Sequence, residues 1–176
     1  MRALVVYESM FGNTAAVAEA VADGLREVLD VDLRHVTEAP DPHAKLFDLL
    51  VVGGPTHAFS MSRSKTRVNA VGQGALADPS VGLREWLHGL GIGRHSEYVA
   101  EFDTRVDKAR HLPGSAARAA ERVLRQHGFR ASAGRASFFV DDVAGPLLPG
   151  ELDRAHQWGR KLGDEQTARA QGSPVC

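Results

Sequence analysis

Three short stretches carry residue types that could do chemistry. The first is residues 8–14, Glu8, Ser9, Met10, Phe11, Gly12, Asn13 and Thr14. An apolar run, Leu4, Val5, Val6 and Tyr7, stops at Glu8, and over residues 15–29 apolar side chains recur at helical spacing, so the stretch reads as strand, tight loop and helix. A loop of this kind ends in backbone N–H groups that no helix carbonyl can satisfy, at the positive end of the helix dipole. That is a place for a phosphate. Ser9 and Thr14 offer short hydroxyls, Gly12 lets the backbone pass close to an anion, and Asn13 is a good N-cap type.

The second stretch follows the unbroken apolar run Leu49, Leu50, Val51 and Val52. It comprises Gly53, Gly54, Pro55, Thr56, His57, Ala58 and Phe59 and continues to Arg67, a long loop of the kind that collects functional groups. His57 is either a proton donor there or an ordinary loop histidine. Arg63, Lys65 and Arg67 form a short basic cluster, suited to a pyridine-nucleotide phosphate or an acidic partner, or else simply a solvated loop. The third stretch, Asp103, Thr104 and Arg105, follows the strand-like residues Tyr98 to Phe102, with Asp103 also readable as the cap of a turn.

The elements that must position these stretches alternate strand and helix. In the first helix Val17, Val21, Leu25 and Val28 form one apolar stripe. Residues 31–36 alternate as a short strand near a sheet edge, a connector with two prolines spans residues 37–42, and residues 49–52 suit a strand buried on both faces. Gly72, Gly74 and Ala77 satisfy a loose G-x-G-x-x-A pattern, but no strand precedes it, so residues 68–77 read as a flexible loop. Asp78 and Pro79 then open a helix with Leu83, Trp86, Leu87 and Leu90 on one face, and Trp86 on that stripe reads as core. A further helix runs from Ser115 through Val123 and Leu124 to Gly128. The last strand falls into two pieces, residues 129–131 and 136–140, with a break or bulge at Ala133, Gly134 and Arg135. Pro149 and Gly150 start a final helix carrying Leu152, Ala155, Gly159 and Leu162, with fraying expected from Asp164.

This alternation predicts an α/β fold, a doubly wound five-stranded parallel sheet in the order 2-1-3-4-5 with helices on both faces and right-handed crossovers. In that order the loops after the first and third strands flank the point where the winding reverses. A chain of 176 residues, 43% hydrophobic, suits one domain over residues 1–165, followed by a flexible tail over residues 166–176. The formal net charge of -1, from 21 basic and 22 acidic residues, gives no reason to expect nucleic acid. The single cysteine, Cys176, lies in the tail and can form no internal disulfide. With no signal-type segment and no run of membrane-spanning length, a cytoplasmic protein with no membrane partner is expected.

Over residues 2–162 the chain resembles the flavodoxin family. In that family the first loop wraps the phosphate of flavin mononucleotide (FMN) without lysine or arginine, and residues 8–14 likewise hold no basic side chain. The resemblance implies that Ser9, Met10, Phe11, Gly12, Asn13 and Thr14 bind the phosphate, that Pro55, Thr56, His57, Ala58 and Phe59 line the ribityl chain and ring, and that Phe102, Asp103, Thr104 and Arg105 face the ring's other side. Gly12, Asn13 and Thr14 match the family's loop most closely. Glu8, Ser9 and Met10 differ from its frequent hydroxyl-x-hydroxyl-Gly opening, and the tryptophan and tyrosine that sandwich the ring in many flavodoxins have only Phe59 and Phe102 as counterparts.

Three functions follow from the resemblance. One is an FMN-binding electron carrier that exchanges electrons with a redox partner protein. Another is an FMN oxidoreductase that takes hydride from NADH or NADPH and passes electrons to a quinone-like small-molecule acceptor. The last is an interaction module on the same fold with weak or no flavin binding. No metal is expected in any of them.

Overall fold

A computed structural model of the chain describes residues 1–40, 47–130 and 132–172. Pro42 of the connector, Ala131 and the terminal Cys176 lie outside those residues. In chain order the elements are β1 (Arg2–Tyr7), α1 (Asn13–Arg26), β2 (Asp30–His35), β3 (Leu49–His57), β4 (Ser60–Met61), α2 (Ser64–Gly72), α3 (Leu83–His88), β5 (Tyr98–Val106), a 3-10 turn (Asp107–Ala109), α4 (Ala116–Gln126), β6 (Ser132–Val140) and α5 (Glu151–Ala170).

Five strands form a parallel sheet in the order β2-β1-β3-β5-β6, and two-residue β4 pairs antiparallel with the end of β3. With β4 set aside this is the expected 2-1-3-4-5 order. The unbroken apolar runs of β1 and β3 lie at the centre, where both faces must be covered. On one face α1 and α5 pack over Val5, Leu49, Val51 and Phe102; on the other α3 and α4 pack over Leu4, Val6, Leu50 and Val52. Each fully buried Val or Leu of this kind contributes about 1.5–3 kcal/mol. Helices α1 and α5 touch through glycines. A Cβ on Gly24 would lie 2.0 Å from the His156 carbonyl oxygen, and one on Gly159 would lie 2.2 Å from that of Val21.

The apolar stripe of α1 is Val17, Val21 and Leu25; Val28 lies beyond the helix end and is exposed. Leu152 of α5 is exposed too, whereas Ala155, Gly159 and Leu162 are buried as expected. That last helix does not fray at Asp164 but runs to Ala170, with Gln166 buried at the Asp48 carbonyl, just before the central strand β3. The break or bulge expected at residues 133–135 is a bulge within one strand, since the β5–β6 register passes from Val99 and Ser132 to Ala100 and Gly134, while Phe129 and Arg130 of the expected first piece precede the strand. Trp86 is core.

The largest differences lie between β3 and α3. Residues 68–77 read as loop because two glycines dominate their composition, yet α2 runs through Gly72 and only then does the chain turn. Asp78 and Pro79 do not open α3, which starts at Leu83; Gly82 precedes it and donates its N–H to Glu85 Oε2 at 3.0 Å. Strands β3 and β5 are also longer than their apolar runs. Pro55, Thr56 and His57 belong to β3, and Asp103, Thr104 and Arg105 belong to β5, because neighbouring strands continue to pair with them.

Candidate functional site

The loop after β1 folds so that its amides are left unpaired. Among the described residues, the N–H groups of Met10, Phe11, Gly12, Asn13 and Thr14 have no intramolecular acceptor, while the Ala15 N–H reaches Ser9 Oγ at 3.2 Å. Gly12 takes φ 86°, left-handed backbone that glycine adopts without strain, and no atom lies within 4 Å of where its Cβ would be. The result is a row of donors at the N-terminus of α1 with open space before it. Asn13 Nδ2 donates to the Ala144 carbonyl at 3.0 Å, which ties this row to the segment after β6.

Thr14 and Thr104 link the first loop to β5 through a hydroxyl pair at 2.7 Å. The N-terminus of α4 ties β3 to β5 in turn. Its amides donate to Thr56 Oγ1 (from Ala116, 2.9 Å), Asp103 Oδ2 (from Ala117, 3.0 Å) and Ser115 Oγ (from Arg118, 3.2 Å). Three of the four orphan donors of a helix start are thereby satisfied by side chains of the strands it follows and its own cap. Between β3 and β4 the chain reverses at Ala58 (φ 47°) and Phe59 (φ 64°), a left-handed pair that favours glycine or asparagine. Gly114 lets this turn seat, because a Cβ there would lie 2.6 Å from the Phe59 carbonyl oxygen.

These loops enclose a cavity of about 310 Å³. Met10, Phe11, Asn13, Thr14, Pro55, Thr56, His57, Ala58, Thr104 and Arg105 all line it, so ten of the expected site residues converge. Five do not. Ser9 is turned inside its loop, Gly12 contributes backbone only, and Phe59 stands 52% exposed in the turn. Asp103 is fully buried as the cap of α4, the capping role that its type allowed, though on a helix rather than a turn.

Phe102 corrects the expectation that it faces a ring. It is fully buried, in edge contact with Phe138 and Trp158 at centroid separations of 6.2 Å, and its ring fills the space where a Cβ on Gly53 would lie 2.0 Å away. Strand alternation decides this: Phe102 points to the α1 and α5 side of β5, into the core.

Thr66, Asn69, Ala70 and Gln73 of α2 and its end line the cavity as well, as do Val106, Val140 and Val143. Sequence reasoning missed them. The first group recurs at helical spacing, a signal hidden by reading residues 68–77 as loop; the valines had no local signature. Among the described residues, no tryptophan or tyrosine lines the cavity.

The basic cluster divides. Arg67 is 1% exposed and donates to the Pro79 carbonyl, to Ser62 Oγ at 3.0 Å and to Glu85 Oε2 at 3.1 Å, so it is a structural cation. Glu8 turns away from its loop to the same place, accepting the Leu83 N–H at 2.8 Å. Burial raises the pKa of Glu8, against the pull of the Leu83 N–H and of Arg67. His57 is pushed the other way: burial and then the Arg67 charge lower its pKa, which leaves a neutral imidazole on the cavity wall at pH 7. Among the described residues no cluster of three or more His, Cys, Asp or Glu is placed to hold a metal, and no helix is long and apolar enough to cross a membrane.

Fold and site define a doubly wound α/β protein with an uncharged amide cradle and a cavity where the winding reverses. The flavodoxin family model matches residues 5–78, which hold the cradle, β3 and α2. Over those residues the chain is similar to the flavodoxin family. A flavodoxin from Aquifex aeolicus (strain VF5) is 43% identical over 58 residues, a match that covers 32% of this chain and 31% of that protein. The match thus spans about a third of the length of the curated relative. An archaeal flavodoxin structure superposes with a TM-score of 0.63 at 18% identity, covering 95% of this chain and 99% of that one. A Streptococcus pneumonia TIGR4 flavodoxin gives 0.63 at 20%, covering 93% and 99%. At those identities the likeness is one of fold.

Proposed function

We propose that this chain binds FMN in the cavity and carries electrons between redox partners. The observation that carries the reading is the row of five unpaired amides at the start of α1, since backbone donors at a helix N-terminus hold a dianion without lysine or arginine. The residues fit the cofactor. Met10, Phe11, Gly12, Asn13 and Thr14 supply N–H groups to the phosphate and Ser9 stiffens their loop from within, while Pro55, Thr56, His57, Ala58 and Thr104 line the space for the ribityl chain and ring, with Phe59 at the rim. Bound FMN supplies the electron-accepting chemistry. The protein's part is to orient it, through the Thr14–Thr104 pair and the capped α4, and to exclude water from its inner edge.

The test is titration of the purified apoprotein with FMN, read by the visible spectrum. Saturable binding with a perturbed flavin band is expected; no binding overturns the proposal. A second reading, hydride transfer from NADH or NADPH to a quinone-like acceptor, is favoured by the polar row Thr66, Asn69 and Gln73 and by neutral His57, which give the cavity hydrogen-bonding walls beyond the cradle. Stopped-flow mixing of the FMN-loaded protein with each nicotinamide separates the two. Direct bleaching of the flavin supports the enzyme, and its failure with both donors leaves the carrier.

A further inference from the structure

The one charged residue among the described residues lining the cavity is Arg105, and no acidic residue lines it. Arg105 is 8% exposed. Its Nη2 donates to the carbonyl oxygens of Ala109 and Leu112, the latter at 3.1 Å; its Nε is buried with no acceptor, and among the described residues no carboxylate comes within 4 Å of it. The contrast with Arg67 is direct, because that buried guanidinium has Glu85 beside it. Burying a guanidinium against carbonyls alone is costly, and such a charge persists where something else supplies the negative partner.

We infer that Arg105 is the cavity's second anion-binding group, and that it acts on the flavin ring rather than on the phosphate, favouring the ring once reduction has placed negative charge on it. Its place in the sheet gives the direction. Successive residues of a strand point to opposite faces, and Thr104 meets Thr14 on the cradle side, so Arg105 is turned away from the phosphate loop, toward the segment bearing Ala109 and Leu112. The cradle holds a permanent anion with dipoles alone. Arg105 adds a full charge at a separate point, where a low-dielectric wall strengthens it. A cation so placed favours the charge-bearing product over the neutral oxidised ring, which raises the reduction potential and makes this site electron-accepting.

The inference rests on FMN binding, and the experiment separates the two. Wild type, Arg105→Gln and Arg105→Lys are loaded with FMN and, in parallel, with riboflavin, and dissociation constants are measured for oxidised and reduced flavin. Arg105→Gln is expected to bind oxidised FMN within about threefold of wild type yet lose at least tenfold in reduced-over-oxidised affinity, which is about 30 mV or more for a two-electron couple. Arg105→Lys restores most of that loss, and riboflavin shows the same loss because it retains the ring without the phosphate. An unchanged potential in Arg105→Gln overturns the inference alone. So does a loss seen with FMN and absent with riboflavin, or an Arg105→Lys variant as defective as Arg105→Gln, which would make the residue a brace for the Ala109 and Leu112 carbonyls. Absence of flavin binding in wild type overturns the proposed function and this assignment with it.

Discussion

Glu101 lies in β5, fully buried beside the bulge of β6. Ser132 Oγ donates to its Oε2 at 2.6 Å, while Oε1 is buried without a partner. Arg135, which pulls the pKa down, is itself paired with Glu121, which pushes it up. Burial dominates and pushes the Glu101 carboxyl up from 4.5 to about 7. Between those values the folded protein holds a proton that the unfolded chain has released. The stabilisation is therefore complete at low pH and is lost as pH rises through about 7. Converted at 1.36 kcal/mol per pKa unit, the full swing is about 3 kcal/mol. Glutamine matches the shape of the neutral acid and cannot ionise, so Glu101→Gln and wild type should be of similar stability in acid and diverge in alkali. Urea unfolding of both proteins at about pH 5 and about pH 8.5 measures it, with Glu101→Gln expected to gain about 2–3 kcal/mol over wild type across that interval, part of the swing being already lost at pH 5. A gap that stays constant, or one that widens toward acid, refutes the reasoning and means that Ser132 and Arg135 hold the carboxylate in its charged form.

Gly53→Ala should destabilise by about 3 kcal/mol, at the upper end of overpacking costs, because its Cβ would lie 2.0 Å from Phe102 Cζ and that ring is fixed by Phe138 and Trp158; thermal unfolding at neutral pH reads it, and a wild-type midpoint would show that the Phe102 ring is not confined. Arg67→Met should cost about 3–5 kcal/mol, since Glu8 and Glu85 lose their cation. Adding Glu8→Gln should return part of that loss, and a double-mutant cycle with no coupling would mean that the two side chains act independently.

The architecture was legible where the signal is local. Four consecutive apolar residues at 49–52 placed β3 in the middle of the sheet, and the Val17, Val21 and Leu25 stripe placed α1 against it. Residue types picked out the three stretches, and the family resemblance then singled out fifteen residues in them, ten of which line the cavity. What was illegible depends on contacts between distant segments. Phe102 looked available to a ligand until Gly53, its neighbour across the sheet, supplied the space that draws it into the core. The α2 wall was hidden because two glycines outweighed a short helix with little amphipathic pattern.

Glu8 and Arg67 show most clearly how two local anomalies become one device. An acid at the mouth of a phosphate-type loop is unexpected, since a carboxylate facing the cradle would repel a dianion, and Arg67 looked like one cation of a solvated loop. Folded, both side chains converge over Gly82, where a Cβ would lie 2.8 Å from Glu8 Oε2 and 2.3 Å from Arg67 Nη1. The acid is thus withdrawn from the cradle, spent on the Leu83 amide and faced by a buried cation. Glycine at 82 leaves room for that convergence, since a side chain there would displace the Arg67 guanidinium, the Glu8 carboxylate or both. The amides of Met10, Phe11, Gly12, Asn13 and Thr14 then remain the dominant electrostatic feature of their loop, which is what an anion site without lysine or arginine needs.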